Sequence, residues 1–138
     1  MRRGAWIAAS LALGLAGAAW AADPAKPDDD QAVTLSPVAL PIIAQGRLVN
    51  YVFVTVKVWL TPRADPFALR DKEPYFRDAL VRAGHRTPFV LPHDYDHVDE
   101  AKLDASLYRD AQAIAGAGNI LRVQVISQTA QHQLATPN

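Results

Sequence analysis

The stretch RLVNYVFVTVKVWL, residues Arg47 to Leu60, decides the fold because its side chains alternate between two chemical classes. From residue 51 onward the odd positions are aromatic or carry a polar tip and the even positions are aliphatic: Tyr51, Phe53, Thr55, Lys57 and Trp59 against Val52, Val54, Val56, Val58 and Leu60. A period of two is typical of a pleated strand, and β-branched residues favour strands over helices. We therefore predict one long β-strand whose aliphatic face lies in the core. Its fourteen residues would extend about 46 Å at about 3.3 Å each, so we also predict a bend or bulge near Asn50.

Composition limits the classes of protein to consider. The chain has 138 residues, 14 basic and 14 acidic residues, and no cysteine. This length is typical of a single domain, and the balanced charge gives no electrostatic reason to expect nucleic acid as a partner. The absence of cysteine excludes disulfides, thiolate metal ligands and cysteine nucleophiles.

The N-terminus has the pattern of an export signal over residues 1–21. Arg2 and Arg3 precede an apolar run, and Ala19-Trp20-Ala21 fits the site of signal peptidase, so we expect cleavage before Ala22 and a periplasmic location. The alternative is an uncleaved inner-membrane anchor with a periplasmic domain, because the apolar run reaches the lower limit for spanning a bilayer.

The remaining chain divides into three segments by composition. Residues 22–31, ADPAKPDDDQ, predict a flexible linker because they combine prolines and aspartates and lack large apolar residues. Residues 32–130 form the predicted domain, and residues 131–138 a disordered tail.

Two prolines shape the segment before the long strand. Pro37 and Pro41 interrupt an apolar run, and proline cannot donate to a strand ladder, so this run predicts an edge strand or a strand broken in two. Gly46 is the expected turn into the long strand.

Two helical regions and a last strand follow. Asp65 is expected to cap a short helical turn over Pro66 to Lys72, and a main helix is expected from about Pro74, with Gly84 as its stop. Its buried stripe has helical spacing: Phe76, Ala79, Leu80 and Ala83. A second helix, capped by Asp96 or Asp99, has its own stripe: Leu103, Leu107, Ala111, Ile114 and Ala115. In the final strand, residues 119–129, we expect two sets of side chains to point in opposite directions, with Ile126 interrupting the alternation: Leu121, Val123 and Val125 against Arg122, Gln124 and Gln128.

This order predicts an α+β two-layer sandwich. A small, mainly antiparallel sheet of about three strands would be covered on one face by two helices, in the order β-β-α-α-β. The aromatic residues Tyr51, Phe53 and Trp59 would then lie on the second sheet face, either as a docking surface or covered in part by the N-terminal segment.

One polar cluster has the residue types of a metal site. His93, Asp94, Asp96 and His97 could converge on a divalent ion, since imidazole and carboxylate are ordinary ligands. The alternative is that Asp96 caps the second helix and the others are solvated loop residues. We expect no other cofactor.

The motifs of common enzymes are missing from the sequence. Ser36, Ser106 and Ser127 are the serines outside the predicted signal, none lies in a G-x-S-x-G elbow, and no glycine-rich phosphate loop is present. We therefore expect a protein that is not an enzyme.

The segment EPYFRDAL, Glu73 to Leu80, adds a family resemblance. A valine-rich strand, a helix with an R-D-A-L motif, a variable loop, a leucine-rich helix and an alternating strand ending near Gln128 resemble the periplasmic domain of the FliL family of flagellar basal-body-associated proteins. The resemblance covers roughly residues 38–128. It implies a non-enzymatic domain that is held at the inner membrane, assembles into rings and contacts the flagellar stator. Family members normally carry a longer transmembrane helix, so the short run here would fit a soluble periplasmic relative.

The sequence thus supports two hypotheses. The first is a FliL-like periplasmic interaction module that associates with a protein partner in the bacterial envelope, such as the flagellar motor, or self-assembles as a homo-oligomer. The alternative is a small periplasmic protein that binds a divalent metal through the loop from His93 to His97.

Overall fold

The long strand Arg47–Leu60 is the central strand of an antiparallel sheet in the computed structural model, which describes residues 29–131. The elements are a 3-10 turn, four strands and three helices among these residues: Asp29–Gln31, β1 Ala32–Thr34, β2 Val38–Ala44, β3 Arg47–Leu60, α1 Pro66–Arg70, α2 Glu73–Arg86, α3 Glu100–Ala115 and β4 Ile120–Ala130. The predicted signal peptide, the linker up to residue 28 and the tail from residue 132 lie outside the described residues. The last residues of the predicted linker, Asp29–Gln31, form the 3-10 turn.

The α+β class is confirmed, but the number and order of the elements differ from the prediction. The described chain runs β-β-β-α-α-α-β instead of β-β-α-α-β. The fourth strand arises because the first edge strand is broken at Leu35, Ser36 and Pro37. β1 and β2 pair with different parts of β3, both on the side opposite β4, and the Leu35 N–H donates to the Val56 carbonyl at 2.9 Å within the break. The third helix is the short turn α1, which Asp65 caps by accepting from the N–H groups of Phe67 and Ala68.

Bulges interrupt the sheet at three places. The predicted bulge near Asn50 is confirmed, since Ile42 pairs with Asn50 and Ile43 with Leu48. Two more lie in β4, where the pairing with β3 skips Leu121 and Ile126. Because each extra residue reverses the alternation, Leu121 is exposed while Ile120, Val123 and Val125 are buried, so the prediction that Leu121 points the same way as Val123 and Val125 was wrong.

The core lies between the aliphatic sheet face and the helices. All five even-numbered residues of β3 from 52 to 60 are buried, as predicted. The helices contribute Phe76 and Leu80 from α2, Leu103 and Leu107 from α3, and Leu69 from α1. Because all three helices contribute to this core, they lie on the aliphatic side of the sheet.

Gly84 has a different role from the one predicted. The helix continues past it to Arg86, so Gly84 does not end α2. A Cβ atom at this position would lie 2.8 Å from Cδ2 of Leu40, so the missing side chain allows α2 to approach β2 closely. Within residues 29–131, no helix is long and apolar enough to cross a membrane.

Candidate functional site

The second face of the sheet, opposite the helices, is here called the open face. On β3 it presents Tyr51, Phe53, Thr55, Lys57 and Trp59, and the paired positions of β4 add Arg122, Gln124, Ser127 and Thr129. The open face is therefore aromatic, cationic and polar, whereas the other face is aliphatic. It is the surface on which the sequence placed a possible docking site.

The three predicted docking residues differ in exposure. Phe53 is 42% exposed, Tyr51 is half-buried, and Trp59 is only 8% exposed. Phe53 is thus available for contact with another molecule, while Trp59 contributes mainly through the groups stacked on it.

Trp59 is covered by two cations. Lys57 Nζ lies 4.6 Å from the ring centroid, and the Arg122 guanidinium carbon lies 4.9 Å from it. The indole N–H donates to Gln124 Oε1 at 3.2 Å, which fixes the orientation of the ring. Cations over an indole face are attracted by the ring quadrupole, so the tryptophan holds both side chains in place.

Two exposed apolar residues of β4 were not predicted. Leu121 is 55% exposed and Ile126 is 47% exposed, and both are the extra residues of the β4 bulges. Alternation alone cannot locate a bulge, but the break in the pattern at Ile126 was a visible signal. Leu121, Ile126 and Phe53 are thus three apolar side chains of the sheet that the described chain leaves in contact with solvent.

The His93–His97 loop is held by hydrogen bonds among its own residues. His97 Nδ1 lies 2.7 Å from Asp94 Oδ2, and the Asp96 N–H donates to Asp94 Oδ1 at 2.9 Å. The Asp96 N–H and the His97 side chain hold the pKa of Asp94 below its ordinary value. Both oxygens of Asp94 are therefore engaged within the loop.

Asn50, at the bulge of β3, anchors this loop to the sheet. Its side-chain N–H groups donate to the Tyr95 carbonyl at 3.0 Å and to Asp96 Oδ1 at 3.3 Å, and its oxygen accepts the Tyr51 N–H. Asn50 is 6% exposed, so these bonds satisfy a buried amide. The bond from Asn50 also gives the Asp96 carboxylate a hydrogen-bond partner within the fold.

The four predicted metal ligands are only partly brought together. Asp94 and His97 are in contact and Asp96 bonds to Asn50, while His93 is exposed and shares no hydrogen bond with the other three in the described structure. Over residues 29–131, no group of three or more histidine or carboxylate side chains is placed to hold a metal ion. Asp99, not Asp96, caps α3 by accepting the Lys102 N–H.

Asp104 has a perturbed pKa beside β4. Burial, and then repulsion from Glu100, raise its pKa to about 6, although the Val125 backbone N–H acts in the opposite direction. One of its carboxylate oxygens is buried with no hydrogen-bond partner in the described part of the chain. The raised pKa of Asp104 was not predictable from sequence, because it depends on how α3 packs against β4.

A cleft of about 240 Å³ lies between α2 and α3. Its lining contains Arg82, Arg86 and Asp110 together with alanine and isoleucine side chains. Arg82 is already paired with Asp78 at 3.0 Å. We place the candidate functional site on the open face, where cationic, aromatic and exposed apolar groups adjoin.

A scan against models of known protein families found no match to this chain, and a search of curated proteins also found none. The FliL-like resemblance therefore stays a prediction.

Proposed function

We propose that the chain is a non-enzymatic, FliL-like interaction module of the bacterial periplasm. It would associate through its open face with a membrane complex, such as the flagellar motor, or with copies of itself. The observation that supports this most directly is the one-sided packing of the sheet. Phe53, Leu121 and Ile126 are 42%, 55% and 47% exposed, while the opposite face is buried under helices.

Exposed apolar side chains favour association because their burial is worth about 25 cal/mol per Å². Stable protein interfaces bury about 800 Å² on each partner and place apolar and aromatic groups at their centre. The open face offers Phe53 near the middle of β3 and two cations farther along the sheet, at Lys57 and Arg122. This composition fits a partner that covers the sheet face.

The outer edge of β4 is a less suitable contact. Its bulges at Leu121 and Ile126 interrupt the regular spacing that an added strand would need. Association through the open face is therefore the specific form of the proposal.

A pull-down from envelope extract, combined with light scattering of the purified chain, tests this proposal. We expect the wild-type chain to recover a specific partner or to run above monomer mass, and Phe53→Ser to abolish that behaviour. Phe67→Ser is the matched control, since Phe67 is 75% exposed on α1, on the other side of the sheet. A strict monomer that recovers no partner would contradict the proposal, as would equal effects of the two variants.

The proposed location has its own test. Mass determination of the N-terminus of protein isolated from cells would give a start at Ala22 for a cleaved periplasmic protein. An intact Met1 would support the inner-membrane anchor instead.

A further inference from the structure

The charged side chains on the strands of the open face are all cationic. Its described residues include Lys57 and Arg122, and the strand positions that form it contain no aspartate or glutamate. One carboxylate reaches it from outside the strands, because Asp29 Oδ1 of the 3-10 turn lies 2.7 Å from Lys57 Nζ. The surface thus attracts carboxylates, and the fold itself supplies one example.

Arg122 is the cation that remains available. It is exposed, it has no carboxylate partner among residues 29–131, and its guanidinium carbon is 4.9 Å from the Trp59 ring centroid. A planar guanidinium supported by an aromatic ring is pre-organised to bind a carboxylate with two parallel hydrogen bonds. Binding there would lose less side-chain entropy than binding to a freely rotating arginine.

The cations and the exposed apolar groups lie within the reach of one short peptide. Phe53 and Trp59, the residue that pairs with Arg122, are six positions apart on β3, a distance of about 20 Å along a strand. An extended chain of about seven residues covers that distance.

We propose that the open face binds an extended acidic segment of another protein, with Arg122 as the carboxylate anchor and Phe53 and Ile126 as the apolar contacts. This rests on the proposed function and names the chemistry of its partner. Asp29 already forms an ion pair with Lys57, so it competes with that segment for the second cation.

Charge complementarity favours this occupant over two others. Two copies packed through their open faces, which the proposed function also allows, would offer no strand carboxylate to Arg122, so that association would gain nothing from opposite charges. Binding to an anionic membrane typically uses a cluster of about four to eight basic residues, whereas the strand positions of the open face carry Lys57 and Arg122.

Fluorescence anisotropy with a labelled peptide of four glutamates and four valines tests the inference on the full chain. We expect saturable binding that weakens with salt and is lost when glutamine replaces each glutamate. Arg122→Gln should weaken binding about tenfold, as expected for loss of a charge-assisted bidentate contact. Asp29→Asn should tighten it, because Lys57 is released.

Matched variants separate the specific contact from net charge. Arg109→Gln removes the same charge from the exposed side of α3, on the other side of the sheet, and should change affinity by less than about twofold at moderate salt. Arg122→Lys keeps the charge and loses the planar fork, so its affinity should lie between those of wild type and Arg122→Gln.

The outcomes distinguish this inference from the proposed function. Absence of peptide binding overturns the inference, as do equal losses in Arg122→Gln and Arg109→Gln. Binding to phosphatidylserine vesicles without binding to the peptide also overturns it, in favour of a membrane surface. If the envelope pull-down recovers a partner that Arg122→Gln retains in full, the proposed function stands and the acidic-segment inference fails.

Discussion

The two faces of the sheet share one central strand but follow different rules. On the aliphatic face, every side chain of β3 from Val52 to Leu60 is buried against helices. On the open face the exposure varies from 42% at Phe53 to 8% at Trp59, although both are aromatic residues at odd positions. The difference shows that burial on the packed face follows from the alternation of residues alone. On the solvent-facing side, the exposed fraction of a side chain depends on which neighbouring groups stack on it.

The largest expected effect compares one phenylalanine on each side of the sheet. Phe76 is 0% exposed in the core, so Phe76→Ala should lower the free energy of unfolding by about 3–5 kcal/mol through lost burial and a cavity. Phe53→Ala should lower it by less than about 1 kcal/mol, because its side chain is already in contact with water. Urea denaturation measures both, and similar losses would mean that another element covers the open face.

The second prediction concerns the polar residue at the end of the aliphatic face. Asn50→Ala removes the donor to Tyr95 and Asp96 and the acceptor for the Tyr51 N–H, so we expect a loss of about 1–3 kcal/mol. Hydrogen exchange should also speed up in residues 91–97, which Asn50 holds. Ser127→Ala, an exposed change on the open face, is the control and should leave both measurements nearly unchanged. Unchanged exchange in the loop would show that the loop is held by its other contacts.

Local pattern accounts for most of the fold. The alternation in β3, the Asp65 cap and the α2 stripe of Phe76 to Ala83 were predictable because each is a property of consecutive residues. The bulge at Leu121 was not predictable, since a bulge is defined by the register between two strands, and only the break in the alternation indicated the one at Ile126. The role of Gly84 was missed for a related reason, because the contact with Leu40 joins residues far apart in sequence.

The candidate site was only partly predictable. Tyr51, Phe53 and Trp59 were placed on the correct face, since that follows from the period of two. Arg122 could be recognised only once the register paired it with Trp59. The stacking of two cations on one indole is a tertiary property, and it makes the Trp59 end of the expected aromatic platform mainly cationic.

The third prediction concerns the pH dependence of stability that Asp104 causes, at the edge of the packed side of the sheet. The pKa of Asp104 is raised to about 6 in the folded chain from an ordinary value of 3.8, so the folded state binds a proton more tightly than the unfolded state. Its contribution to stability is therefore fully present below about pH 4 and is lost as pH rises through about 6. Asp104→Asn should raise the free energy of unfolding at pH 7.5 by about 1 kcal/mol after allowance for solvent screening, and by much less near pH 4. Denaturation at the two pH values measures this, and an equal difference at both would contradict the assigned cause.

The smallest expected effect concerns the loop from His93 to His97, which belongs to neither sheet face. Both oxygens of Asp94 are engaged by Asp96 and His97, and Asp96 Oδ1 accepts from Asn50, so a metal would have to break existing bonds to recruit them. We therefore expect zinc, copper and nickel to give the same heat in calorimetry with the wild-type chain and with a His93→Ala, His97→Ala double variant. Stoichiometric binding that disappears in the double variant would favour the metal-binding alternative. It would also move the functional site from the open face to the end of the sheet where Asn50 holds the loop.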